Sequence, residues 1–180
     1  MKNKNYLYGL LLYGFIAGFT SPVSAEIRQC DKEFISSDDS HIVYMGRISR
    51  SIPHIVRFTY PGVSILANFE GTSLQMKAKP GSGAFMVEVD DELPYRINFA
   101  ENDSIQTLAE GLPEGTHRVR IMYAIEGYEL KPAFKGFYLD KGCRLAEAPV
   151  LPERRIEFIG NSITCGYGVE SENPSDPFNL

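Results

Sequence analysis

From His41 to about Leu139 the apolar residues recur at every second position, and that pattern decides the fold class. Val56, Phe58 and Tyr60 alternate with Arg57 and Thr59; Val63, Ile65, Ala67 and Phe69 alternate with Ser64 and Asn68. The same rhythm returns in Leu74, Met76 and Ala78, in Phe85, Val87 and Val89, in Tyr95, Ile97 and Phe99, and in Val119, Ile121 and Tyr123. A strand points successive side chains to opposite faces, so each segment sets one face on a core and the other toward water or a partner layer. Turn signals separate the segments: Pro61-Gly62, Gly71-Thr72, Pro80-Gly81-Ser82-Gly83, Asp90-Asp91 and Pro113-Glu114-Gly115. Short strands at a spacing of roughly 8–12 residues, with no 3.6-period stretch of helix length, predict an antiparallel sandwich or barrel. Asp90-Asp91 is the expected tip of a hairpin, because Asp tolerates the positive φ that such a turn demands.

Composition supports a packed core. Of 180 residues 43% are hydrophobic and 23% charged, which excludes a disordered chain. The length corresponds to about one domain and part of another. Lys and Arg number 18 against 23 Asp and Glu, a formal charge of 18 − 23 = −5. With that acidic balance and no basic stripe in the sequence, no nucleic-acid partner is expected, since phosphates require clustered cations.

The first residues read as an address. Lys2 and Lys4 precede the 14-residue uncharged apolar stretch Tyr6 to Phe19, then Ser21-Pro22 and Val23-Ser24-Ala25. This is the layout of a secretory signal peptide over residues 1–25, cut after Ala25. The stretch is shorter than the roughly 20 residues that cross a bilayer. A secreted or periplasmic location is therefore expected, with no membrane attachment after cleavage. An oxidising compartment permits one disulfide among Cys30, Cys143 and Cys165 with one thiol left over. Cys30 and Cys143 would staple the first and last strands; three free thiols is the alternative. The cysteine spacings do not suit zinc, and no cofactor is expected.

After Leu139 the pattern changes. Residues 26–145 are assigned to the sandwich, and residues 146–154, with Pro149 and Pro152, to a semi-rigid linker. Residues 155–180 are expected to begin a second domain that continues past Leu180. There Ile156-Glu157-Phe158-Ile159 reads as a short buried strand, followed at once by Gly160-Asn161-Ser162-Ile163-Thr164-Cys165-Gly166-Tyr167-Gly168. A phosphate-cradling loop would need a Lys after its last glycine, and a dinucleotide fingerprint needs another glycine spacing. The remaining possibilities are an ordinary turn and a serine nucleophile, with Gly160 allowing a tight turn, Ser162 projecting its hydroxyl, and the Ser162 backbone N–H facing a developing oxyanion.

The segment Arg155 to Gly168 resembles the nucleophile segment of SGNH (GDSL-like) hydrolases, and most closely the second family of carbohydrate esterases, the acetylxylan esterases. That family carries a jelly-roll β-sandwich ahead of its SGNH domain, and Gly46 to Leu139, including Phe69-Glu70-Gly71-Thr72, is similar to that sandwich. The resemblance implies a mainly β chain: a jelly roll followed by the first strand and nucleophile turn of a truncated α/β hydrolase domain. It implies that Ser162 stands at the catalytic serine and that Gly160 and Asn161 support the turn and oxyanion; Tyr167, read from its place beside Gly166 and Gly168, either lines the substrate cleft or packs against the turn. Asn161 departs from the commoner Asp of the family's Gly-Asp-Ser motif, although an amide can still hold the turn by hydrogen bonding. It also implies an acetylated polysaccharide or oligosaccharide of xylan or mannan type as substrate. The family's further oxyanion Gly and Asn and its catalytic His match no motif in this sequence. The chain as it stands is thus expected to be an inactive N-terminal part, with Ile156 to Ile159 deprived of neighbours and prone to association.

The other tempting residues read more plainly. His41, His54 and His117 stand at strand starts or beside turns, as surface histidines do. Asp38-Asp39 and Asp90-Asp91-Glu92 read as turn chemistry rather than a calcium site. Cys165 is expected to pack behind the turn. The rival reading of the chain is a non-catalytic carbohydrate-binding or structural sandwich; the absence of Trp leaves Tyr for any stacking on sugar.

Overall fold

The computed structural model describes residues 32–154, 156, 158–164, 166, 169, 171–173 and 175. The signal-peptide segment, Cys30, Cys165 and Tyr167 lie outside the described residues. Eleven strands form two antiparallel sheets. One sheet runs β3 (Ser49–Ile52), β4 (Ile55–Arg57), β11 (Ala133–Asp140), β6 (Leu74–Ala78) and β9 (Ile105–Ala109), with β1 (Lys32–Ser36) also paired to β11. The other runs β2 (Val43–Met45), β5 (Ser64–Glu70), β10 (Thr116–Tyr123), β7 (Gly83–Val89) and β8 (Tyr95–Phe99). This is the antiparallel sandwich that the alternation anticipates, and the jelly roll that the family resemblance implies.

The core is built by the residues that the alternation marks. Ile65, Ala67 and Phe69 of β5, Leu74, Met76 and Ala78 of β6, and Val119, Ile121 and Tyr123 of β10 are all buried. At the centre Phe85 stacks edge-on with Phe58, Phe99 and Tyr123, at ring-centroid distances of 6.1, 5.7 and 5.0 Å. Tyr123 answers its own polar end by donating from its hydroxyl to the Ser82 carbonyl at 3.0 Å, as a buried phenol must. Asp90 has φ 55° at the β7–β8 connection, the turn conformation foreseen for it.

Four features depart from the sequence reading. First, β1 precedes the alternating region; Lys-Glu-Phe-Ile-Ser has no period of two, and its place comes from pairing with β11 from Lys32↔Asp140 to Ser36↔Gly136. Second, β11 buries Phe134 and Phe137, three residues apart, on the core side. A register shift between Phe134 and Gly136 against β6 inserts the extra residue that makes this possible. Third, Tyr60 is 55% exposed rather than in the core, because the chain leaves the sheet after Arg57 to enter the Pro61-Gly62 turn. Fourth, the described part of Ile156 to Ile159 is not a strand: Ile156, Phe158 and Ile159 are 75%, 81% and 88% exposed. An isolated parallel strand has no ladder to join, and every described sandwich strand pairs within its own sheet.

The chain leaves the sandwich along β5. Beyond the Ser64–Leu66 stretch held by β2, Phe69 bridges Leu145, Glu70 N–H donates to the Arg144 carbonyl, and Ala146 N–H donates to the Asn68 carbonyl. The Asn68 amide also donates to the Glu147 carbonyl at 2.8 Å. Residues 146 and 147 of the anticipated linker are therefore stitched to the sheet.

Candidate functional site

The Gly160–Thr164 turn is organised by its own short side chains. Thr164 N–H donates to the Asn161 carbonyl at 3.0 Å, and Ile163 N–H donates to Asn161 Oδ1 at 3.1 Å. That second bond is an Asx turn, in which a side-chain oxygen takes over a backbone role. A Cβ on Gly160 would run into Thr164 Oγ1, so a larger residue there would have to displace that exposed side chain. Further turns follow, with Gly166 N–H on the Ile163 carbonyl and Val169 N–H on the Gly166 carbonyl, and Gly166 at φ 72°. Asn161, Ser162, Ile163 and Thr164 are all exposed. Gly160, Asn161 and Ser162 thus share one tight, solvent-facing turn.

The histidines are all engaged inside the sandwich. His41 Nδ1 lies 2.8 Å from Asp39 Oδ1, and His54 Nδ1 lies 2.8 Å from Asp38 Oδ2. His117 corrects the surface reading: it is 8% exposed, with Nδ1 at 2.8 Å from Asp90 Oδ2 and Nε2 at 2.8 Å from the Pro113 carbonyl. Both ring nitrogens face acceptors, which suits the doubly protonated ring. The Asp90 hydrogen bond leads in raising the His117 pKa, against the effect of burial. Burial works to raise the Asp90 pKa, but the Arg118 backbone N–H and the His117 ring bring it below the ordinary value. The turn aspartates therefore act as acceptors for histidine as well as turn formers. Among the described residues no group of three or more His, Cys, Asp or Glu is placed to hold a metal. Cys143 carries a free thiol whose pKa burial raises, lying so close that a Cβ on Gly71 would sit 2.8 Å from its sulfur.

Among the described residues, two of the clefts on the sandwich are notable for their charged lining. One, of about 500 Å³, is lined by Ile35, Asp39, His41, Glu70, Arg144 and Leu145. Of its charges His41 is matched with Asp39 and Arg144 with Glu70 at 3.3 Å, and Glu147 lines it as well. The other, of about 390 Å³, has Arg47, Arg57 and Lys131 in its wall together with Tyr60, and no acidic residue. The sequence reading, which found no basic stripe, missed this cluster because Lys131 lies far along the chain and joins Arg47 and Arg57 only in space.

Comparison with known proteins agrees with this architecture. Residues 44–149 match the family described as carbohydrate esterase 2 N-terminal. The chain is 33% identical over 150 residues to the cellulase/esterase CelE of Acetivibrio thermocellus, covering 82% of this chain and 18% of that protein. It is 31% identical over 138 residues to an acetylxylan esterase / glucomannan deacetylase of Cellvibrio japonicus, covering 76% of this chain and 38% of the relative. Among solved structures, a family two carbohydrate esterase from Cellvibrio japonicus superimposes with TM-score 0.71 at 28% identity, over 83% of this chain and 44% of the other. Another, from Clostridium thermocellum in complex with cellohexaose, superimposes with TM-score 0.65 at 34% identity, over 77% and 42%. The chain thus spans less than half the length of each of these relatives. With its sandwich matched in both sequence and shape, this chain belongs to carbohydrate esterase family 2, to which it contributes the N-terminal domain.

Proposed function

We propose that the chain is the N-terminal part of an exported carbohydrate esterase that removes O-acetyl groups from plant polysaccharide of xylan or mannan type, with Ser162 as its nucleophile. The observation that carries this reading is the Asx turn at Asn161, which holds Ser162 at the solvent-facing apex of a glycine-bounded turn just after the family domain. Ser162 Oγ attacks the acetyl carbonyl carbon while a histidine supplied by the catalytic domain removes its proton. The Ser162 backbone N–H donates to the oxyanion of the tetrahedral intermediate, which collapses to release the sugar hydroxyl. Water then attacks the acyl-enzyme and acetate departs. A serine hydroxyl without an adjacent base is a weak nucleophile, so this reading makes the 180-residue chain itself inert.

The test compares p-nitrophenyl acetate hydrolysis by the 180-residue chain, by a longer parent, and by Ser162→Ala in each. The parent is expected to be active and to lose activity by a factor of about 10⁶ on Ser162→Ala, the scale seen when a serine nucleophile is removed. The 180-residue chain should match its own Ser162→Ala control. A nitrophenol burst from the short chain that vanishes on Ser162→Ala, or full activity in the parent without this serine, refutes the assignment.

A further inference from the structure

We propose that the cleft between the β3–β4 hairpin and the loop entering β11 is a binding site for glycan chains bearing uronate carboxylates. Its wall holds Arg47, Arg57 and Lys131, and no Asp or Glu lines it. All three cations are exposed, and none forms a salt bridge among the described residues. That is unusual in a chain of net charge −5. It follows from the sequence: Arg47, Arg50 and Arg57 fall in a run from Ser40 to Phe69 that contains no carboxylate. Uncompensated like charges repel one another, so their clustering stabilises the chain only when an anion lies among them.

The cleft is built rather than incidental. Arg57 pairs in register with Ser49 across the β3–β4 hairpin and with Ala133 of β11. Gly127 N–H donates to the Thr59 carbonyl at 2.8 Å and Lys131 N–H donates to the Gly127 carbonyl at 2.8 Å, clamping the loop onto the strand end. Lys131 is held at φ 49°, an uncommon conformation for a residue with a side chain. Buried Phe58 and Pro132 lie beneath. Beside the cations stand Tyr60, 55% exposed with the Arg47 guanidinium 5.6 Å from its ring centroid, and the side chains of Ser49 and Thr59.

That set selects the ligand's chemistry. A guanidinium fork matches a carboxylate in two parallel hydrogen bonds. An exposed tyrosine offers the apolar face that sugar rings cover, and its neighbouring hydroxyl groups suit sugar hydroxyls. A volume of about 390 Å³ lies within the usual range of small-ligand sites. The choice of a sugar as carrier of the carboxylate rests on the esterase reading above, whereas the preference for an anion rests on the cleft alone.

The test uses the 180-residue chain carrying Ser162→Ala, so that binding is read without hydrolysis. Calorimetry compares a glucuronate-substituted xylo-oligosaccharide, its methyl ester, and the unsubstituted oligosaccharide of the same length. The acid is expected to bind roughly tenfold more tightly than the ester at low salt, the scale of two or three exposed ion pairs, and 0.5 M NaCl should shrink that advantage, as expected from screening. Arg57→Gln with Lys131→Gln should abolish it, whereas Tyr60→Ala should weaken acid and ester alike. Circular dichroism and thermal midpoints confirm that each variant is folded, and Arg47→Gln provides an independent single substitution. Equal binding of acid and ester overturns the proposal, as does an acid preference that survives in the folded double variant. Equally effective competition by inorganic phosphate or a single-stranded oligonucleotide overturns the assignment to a glycan. Activity lost from the longer parent by Ser162→Ala is scored separately, so either reading can fail without the other.

Discussion

Asp140 shows how much one carboxylate gathers at the end of the sandwich. Its Oδ1 takes the Lys32 ammonium at 2.7 Å and the Ser73 hydroxyl at 2.7 Å; its Oδ2 takes the Thr72 hydroxyl at 3.1 Å and the Thr72 N–H at 3.3 Å. Partial burial works to raise its pKa, but the bonds from Lys32, Ser73 and Thr72 outweigh that and hold it at about 2. A carboxyl depressed below the roughly 3.9 of free Asp stabilises the fold fully above about pH 4 and loses that contribution as the pH falls through about 2. Asp140→Asn should therefore lower stability by about 2 kcal/mol at pH 7 in urea titrations. It should also flatten the fall in stability between pH 4 and pH 2. A variant whose acid limb is as steep as the parent's would show that the carboxylate is not the titrating group. Little of this was legible in the sequence. Asp90 could be read as a turn residue, since its φ of 55° is a local matter. Its partner His117 lies 27 residues away, and the partner Lys32 of Asp140 lies 108 residues away. Such pairings depend on sheet order, which alternation does not encode.

Among the elements, β11 is the one on which the first sheet depends, since it pairs with β4, β6 and β1. Its bulge keeps Phe134 and Phe137 on the core side and leaves Gly136 at φ 141° with a Cβ position that would run into the Ile35 carbonyl. Gly136→Ala should cost at least about 2 kcal/mol, from backbone strain and crowding together. The amides of β1 should lose protection against hydrogen exchange before those of β5 and β10. Unchanged exchange in β1 would mean that the strand tolerates the shift. Strict alternation made β5, β6, β7 and β10 legible, because each buries every second residue. It marked neither β1, whose pairing partner supplies its order, nor the bulge within β11. The turn at Gly160 was legible from Gly, Asn and Ser alone, being made by neighbours in sequence.

For the whole molecule, the stabilising contacts described here close within the sandwich. The described hydrophobic core ends at Leu145, while Val150, Ile156, Phe158, Ile159, Ile163 and Val169 are 75% exposed or more. Truncation after Pro149 should therefore leave the thermal midpoint unchanged, as removal of exposed side chains shifts stability by no more than about 0.5 kcal/mol. It should also reduce concentration-dependent association, seen by light scattering, because it removes six exposed apolar side chains. A midpoint several degrees lower would show that the segment packs on the sandwich in solution. The two-layer architecture was legible as a class, while the basic cleft was not, since Arg47, Arg57 and Lys131 meet only once the sheet is assembled. One consequence follows from the pairing of β1 with β11. Among the described strands a ribosome releases β1 first, yet its ladder partner β11 comes out about a hundred residues afterwards, so loop-closure entropy must be met late. The first sheet therefore stays open at β1 until β11 is made, and the last strand acts as its latch.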